Sequence, residues 1–337
     1  MLFYQNTMIG RKILFIAPTF HRYNEVISEE LIKYGLLVTD FYFSGYPTKC
    51  ESSKYNEKSY WQDQKNKLLD LIENNSFDHL LAINLRLVDI NIIRKFKEIN
   101  IEASTILYLW DPLSSLKNWI STELLAQYDY RYTFDYDDYH THPELNLIHR
   151  PTFYHPYINQ LPIISEPKYD IASVMSIQPH RMKFLNKFDR SCKGIIVDIH
   201  VYISSLTSFF AYLINHSVVI KFKHIKRKKL SIYQTLSLLN NADCILDISP
   251  LNQNGLTLRC LDAIGMNKKL ITTNKDIKKY DFYDPANILV IPPATIEDIP
   301  SFLEKPKVAV PDEIKEKYSI SFWVKSIINH EEVHYTK

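Results

Sequence analysis

The sequence predicts an α/β protein made of two tandem, doubly wound domains, and three observations carry that prediction. Apolar runs of strand length alternate with amphipathic stretches from Lys12 to Phe134, and the alternation restarts at Asp170. Between them, Pro151 to Pro167 holds four prolines (Pro151, Pro156, Pro162, Pro167) and no helical period. The chain has 337 residues, enough for two domains, and 46% of them are hydrophobic, enough for a core in each. These features place one domain at 1–155, a linker at 156–168 and a second domain at 169–318. A C-terminal helix within 319–337 is able to pack back on the first domain.

Lys12–Ala17 (KILFIA) is a continuous apolar run closed by Pro18, the pattern of a strand buried on both faces of a parallel sheet. Helix Glu25–Tyr34 and strand Leu36–Phe43 follow, and then a polar loop over Pro47–Ser59. Helix Trp61–Glu73, strand His79–Ile83, helix Val88–Ile99 and strand Ser104–Trp110 continue the alternation; Asp111-Pro112 stops the last of these. A helix near Lys117–Gln127 and a strand Tyr130–Phe134 complete the half. After the proline segment come strand Asp170–Met175, helix Arg181–Arg190, strand Gly194–Val201, helix Ser204–Ile214 and strand Val218–Phe222. Helix Ile232–Asn240, strand Cys244–Ile248, helix Leu256–Met266, strands Lys269–Thr273 and Ile288–Ile291, and helices Ile296–Glu304 and Ile320–Asn329 follow. The result is two Rossmann-like domains. In open α/β sheets ligands bind outside the carboxyl ends of the strands, so two such domains are expected to face each other across a cleft.

Composition excludes several classes. A formal net charge of +2 gives no general attraction to nucleic acid, and no zinc-finger, RNP-like or helix-turn-helix signature accompanies it. Cys50, Cys192, Cys244 and Cys260 lack CxxC spacing and read as reduced thiols, without a zinc or iron-sulfur site. The N-terminus MLFYQNTMIGRK has no secretory pattern. The longest apolar stretch, Val201–Ile220, is broken by seven polar residues and cannot span a bilayer. A cytoplasmic protein is expected. Tyr is abundant at 23 residues, which suits either half-polar cleft walls or a Lys/Ile/Asn/Tyr-rich genome.

Gly is scarce, with only 6 residues, so the stretch Cys244–Thr273 (CILDISPLNQNGLTLRCLDAIGMNKKLITT) stands out. It reads as strand, polar loop with Gly255, helix, strand. Amides at a helix start, backed by the helix dipole, favour an anion such as phosphate. Asp262 lies farther along the same helix, so a diphosphate with its ribose would fit, as would a plain βαβ turn relieved by glycine.

NQNGLTLRCLDAIGMNKKLITTN resembles bacterial GT-B glycosyltransferases, more narrowly the CgeB-like and lipopolysaccharide- or capsule-synthesis group. ILYLWDPLSSLKN (106–118), YTFDYDDY (132–139), KYDIASVM (168–175), NKDIKKYDFYDPANILVI (274–291) and YSISFWVKSI (318–327) agree, so the likeness covers most of the chain. The resemblance implies a metal-independent transferase taking a nucleotide-sugar, UDP-linked by first expectation, to a glycan or lipid-linked glycan hydroxyl. It implies no separate cofactor. Many members carry two glutamates, the second gripping the donor ribose. Asn254 and Asp262 stand at those positions, so the first loses its charge and the second keeps an acid. The family's glycine after the first C-domain strand is replaced by Ser176-Ile177-Gln178. A non-catalytic glycan-binding or assembly protein, or a GT-B-shaped epimerase or phosphorylase, fits the same pattern.

Glycosyl transfer requires charge neutralisation on the leaving diphosphate and, for many acceptors, a base. For the first, the Asn254, Gly255, Leu256 and Thr257 turn, Arg259 and Arg181 are candidates. Arg259 equally suits an ion pair with Asp262, three residues on, and Arg181, beside His180, equally suits solvent. For the base, Asp111 closes the apolar strand ILYLW, where it is also placed to cap the next helix with Pro112 at its first position. His21, after the first strand, is the second candidate. Asp135 and Asp137 come third, with an Asx-type turn as their other role. Finally, 221–230 (KFKHIKRKKL) packs basic residues densely enough to meet an anionic membrane, or to form a solvated loop.

Overall fold

The computed structural model of the chain describes residues 8–44, 57–84, 87–116, 120–203, 222–251 and 254–336. It divides into two units: Met1–Thr152 with Asn252–Gly255 and Ile320–His334, and Phe153–Leu251 with Leu256–Ser319 and Tyr335–Lys337.

The first unit contains β1 (Lys12–Pro18), α1 (Tyr23–Lys33), β2 (Leu37–Phe43), α2 (Glu57–Glu73), β3 (His79–Ile83) and α3 (Ile90–Ile99). It continues with β4 (Ser104–Leu109), α4 (Leu113–Leu116), α5 (Thr122–Leu125), β5 (Tyr130–Thr133), α6 (Tyr136–Thr141) and β6 (Ile148–His149). The strands form one parallel sheet in the order β2-β1-β3-β4-β5-β6. Ile13, Leu14, Phe15 and Ile16 of β1 are fully buried, each contributing about 1.5–3 kcal/mol of apolar burial. Ile92, Ile93 and Phe96 turn one face of α3 into the same core, and Asp89 caps that helix by accepting from the Asn91 and Ile92 N–H groups.

The second unit contains β7 (Tyr169–Ser176), α7 (Pro179–Ser191), β8 (Val197–Tyr202), β9 (Ile225–Lys226), α8 (Ile232–Asn240) and β10 (Ala242–Asp247). α9 (Leu258–Gly265), β11 (Lys269–Thr272), β12 (Ile288–Val290), α10 (Ile299–Glu304) and α11 (Asp312–Lys317) complete it. Its parallel sheet runs β12-β11-β10-β7-β8-β9, which is the Rossmann order with the reversal between β7 and β10. Ser231 and Gln234 form a reciprocal capping box at the start of α8.

The last helix, α12 (Ile320–Ile328), belongs to the first unit. Trp323 is buried with its ring 4.9 Å from that of Tyr108, and Ser321 donates to Glu30. Beyond it, Arg150 donates to the Glu331 carbonyl and His330 stacks on Tyr130 at 3.3 Å.

The two alternating domains expected from the sequence are present. Of the helix expected near Lys117–Gln127, residues 117–119 lie outside the described residues; beyond them α5 begins after Ser121, whose hydroxyl accepts the Leu124 N–H as its N-cap, and it ends at Leu125. The strand β6 has two residues, too few for a pattern to register. Helix Ser204–Ile214 and most of strand Val218–Phe222 lie outside the described residues, as do Cys50, Lys221, Asn252 and Gln253.

Gly265 ends α9 against Tyr154, and a Cβ there would lie 2.6 Å from the Tyr154 ring carbon Cγ and 3.0 Å from its Cβ. The root of a side chain cannot swing away. Gly265→Ala is expected to destabilise the protein by about 1–3 kcal/mol, read from urea unfolding, although alanine is the better helix former.

Candidate functional site

In the second unit the topological switch point lies between β7 and β10. The turn Ser176–Gln178 leaves β7, and α7 begins at once, with Pro179 in its first turn and Gln178 as N-cap. Ser249–Leu251 leaves β10 on the other side. His180 links the two, donating from Nε2 to the Ser249 carbonyl at 2.9 Å. Its burial, together with Arg181 nearby, lowers its pKa, and the imidazole is neutral near pH 7.

Beneath this edge sits a buried polar cluster. Asp247, the last residue of β10, is fully buried. It accepts from the Thr257 and Ser249 hydroxyls at 2.9 and 2.8 Å, from the Thr272 hydroxyl at 3.1 Å and from Arg259 Nε at 2.9 Å. Burial pushes its pKa up, but Arg259 and the three hydroxyls outweigh that and hold it below the ordinary carboxylate range. Arg259 also donates to the Val174 carbonyl, which ties α9 to β7. Arg181 is buried and spends its guanidinium on the Ile248 carbonyl and on Ser176. Burial and the neighbouring Arg259 lower its pKa to about 10, so it stays charged.

Arg259 therefore pairs with Asp247, not with Asp262 as its helical spacing suggests. Asp262 instead turns into protein, where it accepts the His155 backbone N–H at 3.1 Å; burial raises its pKa to about 7. Leu256 and Thr257 are also buried, and Thr257 is the N-cap of α9, accepting from the Cys260 N–H. Asn254 and Gly255 belong to the first unit. There the Gly255 N–H donates to Asp135 at 2.9 Å and the Asn254 amide donates to Asp137. A carboxylate thus occupies the place the sequence suggested for a phosphate at the Gly255 N–H. A Cβ on Gly255 would overlap the Phe134 ring, so close approach to that ring is what requires glycine there.

In the first unit, β1 and β3 form the corresponding switch point. His21 and Arg22, after β1, are both left-handed (φ 43° and 65°), a strained pair for side chains with a Cβ. His21 is exposed, with Phe20 edge-on at 4.7 Å. Asp111, after β4, is half-buried and accepts from the Asn84 amide at 2.8 Å. Asn84, also left-handed at φ 58°, accepts the Trp110 N–H through its other side-chain atom. That grip fixes where Asp111 points. At the start of α4, Asp138 accepts the Leu113 N–H at 2.7 Å. Burial raises the Asp138 pKa to about 6 and also raises that of Asp135. Asp135 makes the expected Asx-type turn, accepting from the Asp137 N–H. β1 and β4 flank β3, so the ends of the strands that lead to His21 and Asp111 are about two strand spacings, roughly 10 Å, apart.

The roles of Asn84, Asp138 and Asp247 are what sequence reasoning missed. Asp247 carried the signal used for Asp111, an acid closing an apolar strand. Among the described residues, no three His, Cys, Asp or Glu side chains form a group able to hold a metal ion, and no helix is long and apolar enough to cross a membrane.

No protein-family model and no curated protein matches the chain. Solved structures do. The α,α-trehalose-phosphate synthase (UDP-forming) of Burkholderia xenovorans, in complex with glucose-6-phosphate, superposes with a TM-score of 0.63 at 10% identity, over 95% of this chain and 99% of that one. The UDP-GlcNAc 2-epimerase of Neisseria meningitidis, bound to UDP-GlcNAc, gives 0.55 at 10% identity, over 95% and 99%. The sucrose-phosphate synthase of Thermosynechococcus elongatus gives 0.56 at 8% identity, over 95% and 98%. Two parallel six-stranded sheets, the second in Rossmann order, give this chain the GT-B fold.

Proposed function

We propose that the chain is a glycosyltransferase that moves a sugar from a UDP-linked donor to a hydroxyl of a bacterial surface glycan, free or lipid-linked, without a metal ion. The observation that carries this is the fold, shared over 95% of the chain with enzymes named for UDP-sugars and UDP-forming transfer. The surface-glycan acceptor rests on the resemblance of the sequence to the lipopolysaccharide- and capsule-synthesis group.

In this proposal the diphosphate lies at the switch point between β7 and β10, over the start of α7, where Gln178 and His180 face it. A helix of thirteen residues offers N-terminal amides and its dipole to the developing charge. Arg181 and Arg259 act from below, two cations against the single Asp247 carboxylate, leaving the edge electropositive. Asp111, aimed by Asn84, is the base for the acceptor hydroxyl, with His21 as the second candidate. The ribose contact of Asp262 is kept only as a test, since that carboxyl already holds His155.

Calorimetric titration with UDP-, GDP- and CMP-sugars decides. UDP-sugar binding is expected, and His180→Ala should weaken it about tenfold. Folded protein that binds none of the three removes the proposal. Asp262→Asn, which keeps an acceptor for the His155 N–H, should leave affinity unchanged if the ribose is held elsewhere. The second reading, epimerisation, is favoured by the likeness to UDP-GlcNAc 2-epimerases. NMR of UDP-GlcNAc incubated without acceptor separates the two: an epimerised nucleotide-sugar marks an epimerase, and intact donor that turns over only with acceptor marks a transferase.

A further inference from the structure

We propose that the loop Lys226–Lys229 docks the protein on an anionic lipid bilayer. The inference goes beyond the catalytic proposal and does not depend on it.

Lys226, Arg227, Lys228 and Lys229 are consecutive and all exposed. Among the described residues none of their side chains has an ion pair; the nearest basic neighbour that does is Lys223, held by Asp189 at 2.6 Å. Four adjacent cations repel one another, and a solvated loop would ordinarily intersperse acids among them. The loop is nevertheless held in shape. His200, buried in β8, donates from Nε2 to the Lys228 carbonyl at 2.8 Å, and Ser231 starts α8 through its capping box directly afterwards. The charges are therefore presented together, not dispersed on a swinging segment.

The partner is a surface rather than a strand of nucleic acid. The whole chain carries +2, so the five cations from Lys223 to Lys229 more than account for its positive excess. A run of four residues is short for the backbone-tracking groove that a nucleic acid follows, and no nucleic-acid-binding signature accompanies it in the sequence. Tyr233, half-exposed in the first turn of α8, adds an amphipathic ring beside the charges, the residue type that settles at a headgroup boundary. The loop also follows β9, two strands from β7, so it shares the carboxyl edge of the sheet with the switch point at roughly 10 Å. Docking there would bring that edge to the lipid headgroups.

The test is co-sedimentation of the full chain with phosphatidylcholine vesicles, with and without about 30 mol% phosphatidylglycerol. Binding is expected only to the anionic vesicles, and salt should suppress it. At about fivefold per charge, the combined Lys226→Gln, Arg227→Gln, Lys228→Gln, Lys229→Gln variant should bind those vesicles about 10²–10³-fold more weakly. Its unfolding midpoint should match wild type. Equal binding by variant and wild type, equal binding to neutral vesicles, or binding to single-stranded RNA but not to vesicles would each overturn the proposal. The vesicle assay contains no nucleotide-sugar, so its outcome is independent of donor binding.

Discussion

Asp247→Ala is expected to lower the unfolding free energy by about 3–5 kcal/mol, the loss typical of breaking a buried ion pair from one side. Alanine would leave the Arg259 guanidinium without its carboxylate while Arg181 stays charged close by. It would also strand the Ser249, Thr257 and Thr272 hydroxyls, three donors that now converge on one group. The contrast is with exposed pairs such as Arg94–Glu123, for which about 0–1 kcal/mol is the usual contribution. Asp247→Asn keeps the shape and removes the charge, so it should lose most of the same stability at pH 7. The folded carboxyl titrates below its unfolded value of about 3.9, so its stabilisation is present above pH 4 and is lost as pH falls through the folded pKa. The gap between wild type and Asp247→Asn should therefore narrow as pH falls below 4. Urea unfolding at pH 7 and pH 3 measures both; a loss under about 1 kcal/mol at pH 7 would mean the cluster repacks around the change.

Most of the architecture was legible because parallel strands buried on both faces write themselves as unbroken apolar runs. KILFIA, HLLAI and CILD each became a strand with little error. Local caps were partly legible too: the Asx-type turn at Asp135 formed as its spacing suggested. The candidate site was less so, because its partners are chosen by the sheet rather than by the local chain. Arg259 and Asp262 are three apart on one helix, which suggested a pair. The register of β10 instead places Asp247 beside the first turn of α9, and the Asp262 carboxyl points to a backbone N–H more than a hundred residues away in sequence. The same holds for Gly255, whose N–H meets Asp135 across 120 positions. Asn84 gave a different kind of miss. Its left-handed backbone is what turns its amide onto Asp111; asparagine adopts that region more readily than other residues with a Cβ, but HLLAIN alone does not say that this one does.

Asp262→Asn should make the protein more stable at pH 8 and remove a pH dependence between about 4 and 7. Burial raises the folded pKa of Asp262 to about 7, opposed only in part by the His155 N–H and by Arg259. Unfolded, the carboxyl titrates near 3.9. The folded state thus holds its proton more tightly, so stability falls as pH rises between the two values. The total is on the order of 4 kcal/mol, with no further change above 7. Asparagine has no charge to bury and still offers an oxygen to His155, so that loss should disappear. Asp138, raised to about 6 by burial, contributes with the same sign over part of that range, and the depressed Asp247 acts only below pH 4. The comparison must therefore be wild type against Asp262→Asn, by urea unfolding at pH 5, 6, 7 and 8. The difference should grow through pH 5–7 and then level. Two parallel lines across that range would mean that Asp262 ionises as freely folded as unfolded, and the enclosed placement of its carboxyl would have to be abandoned.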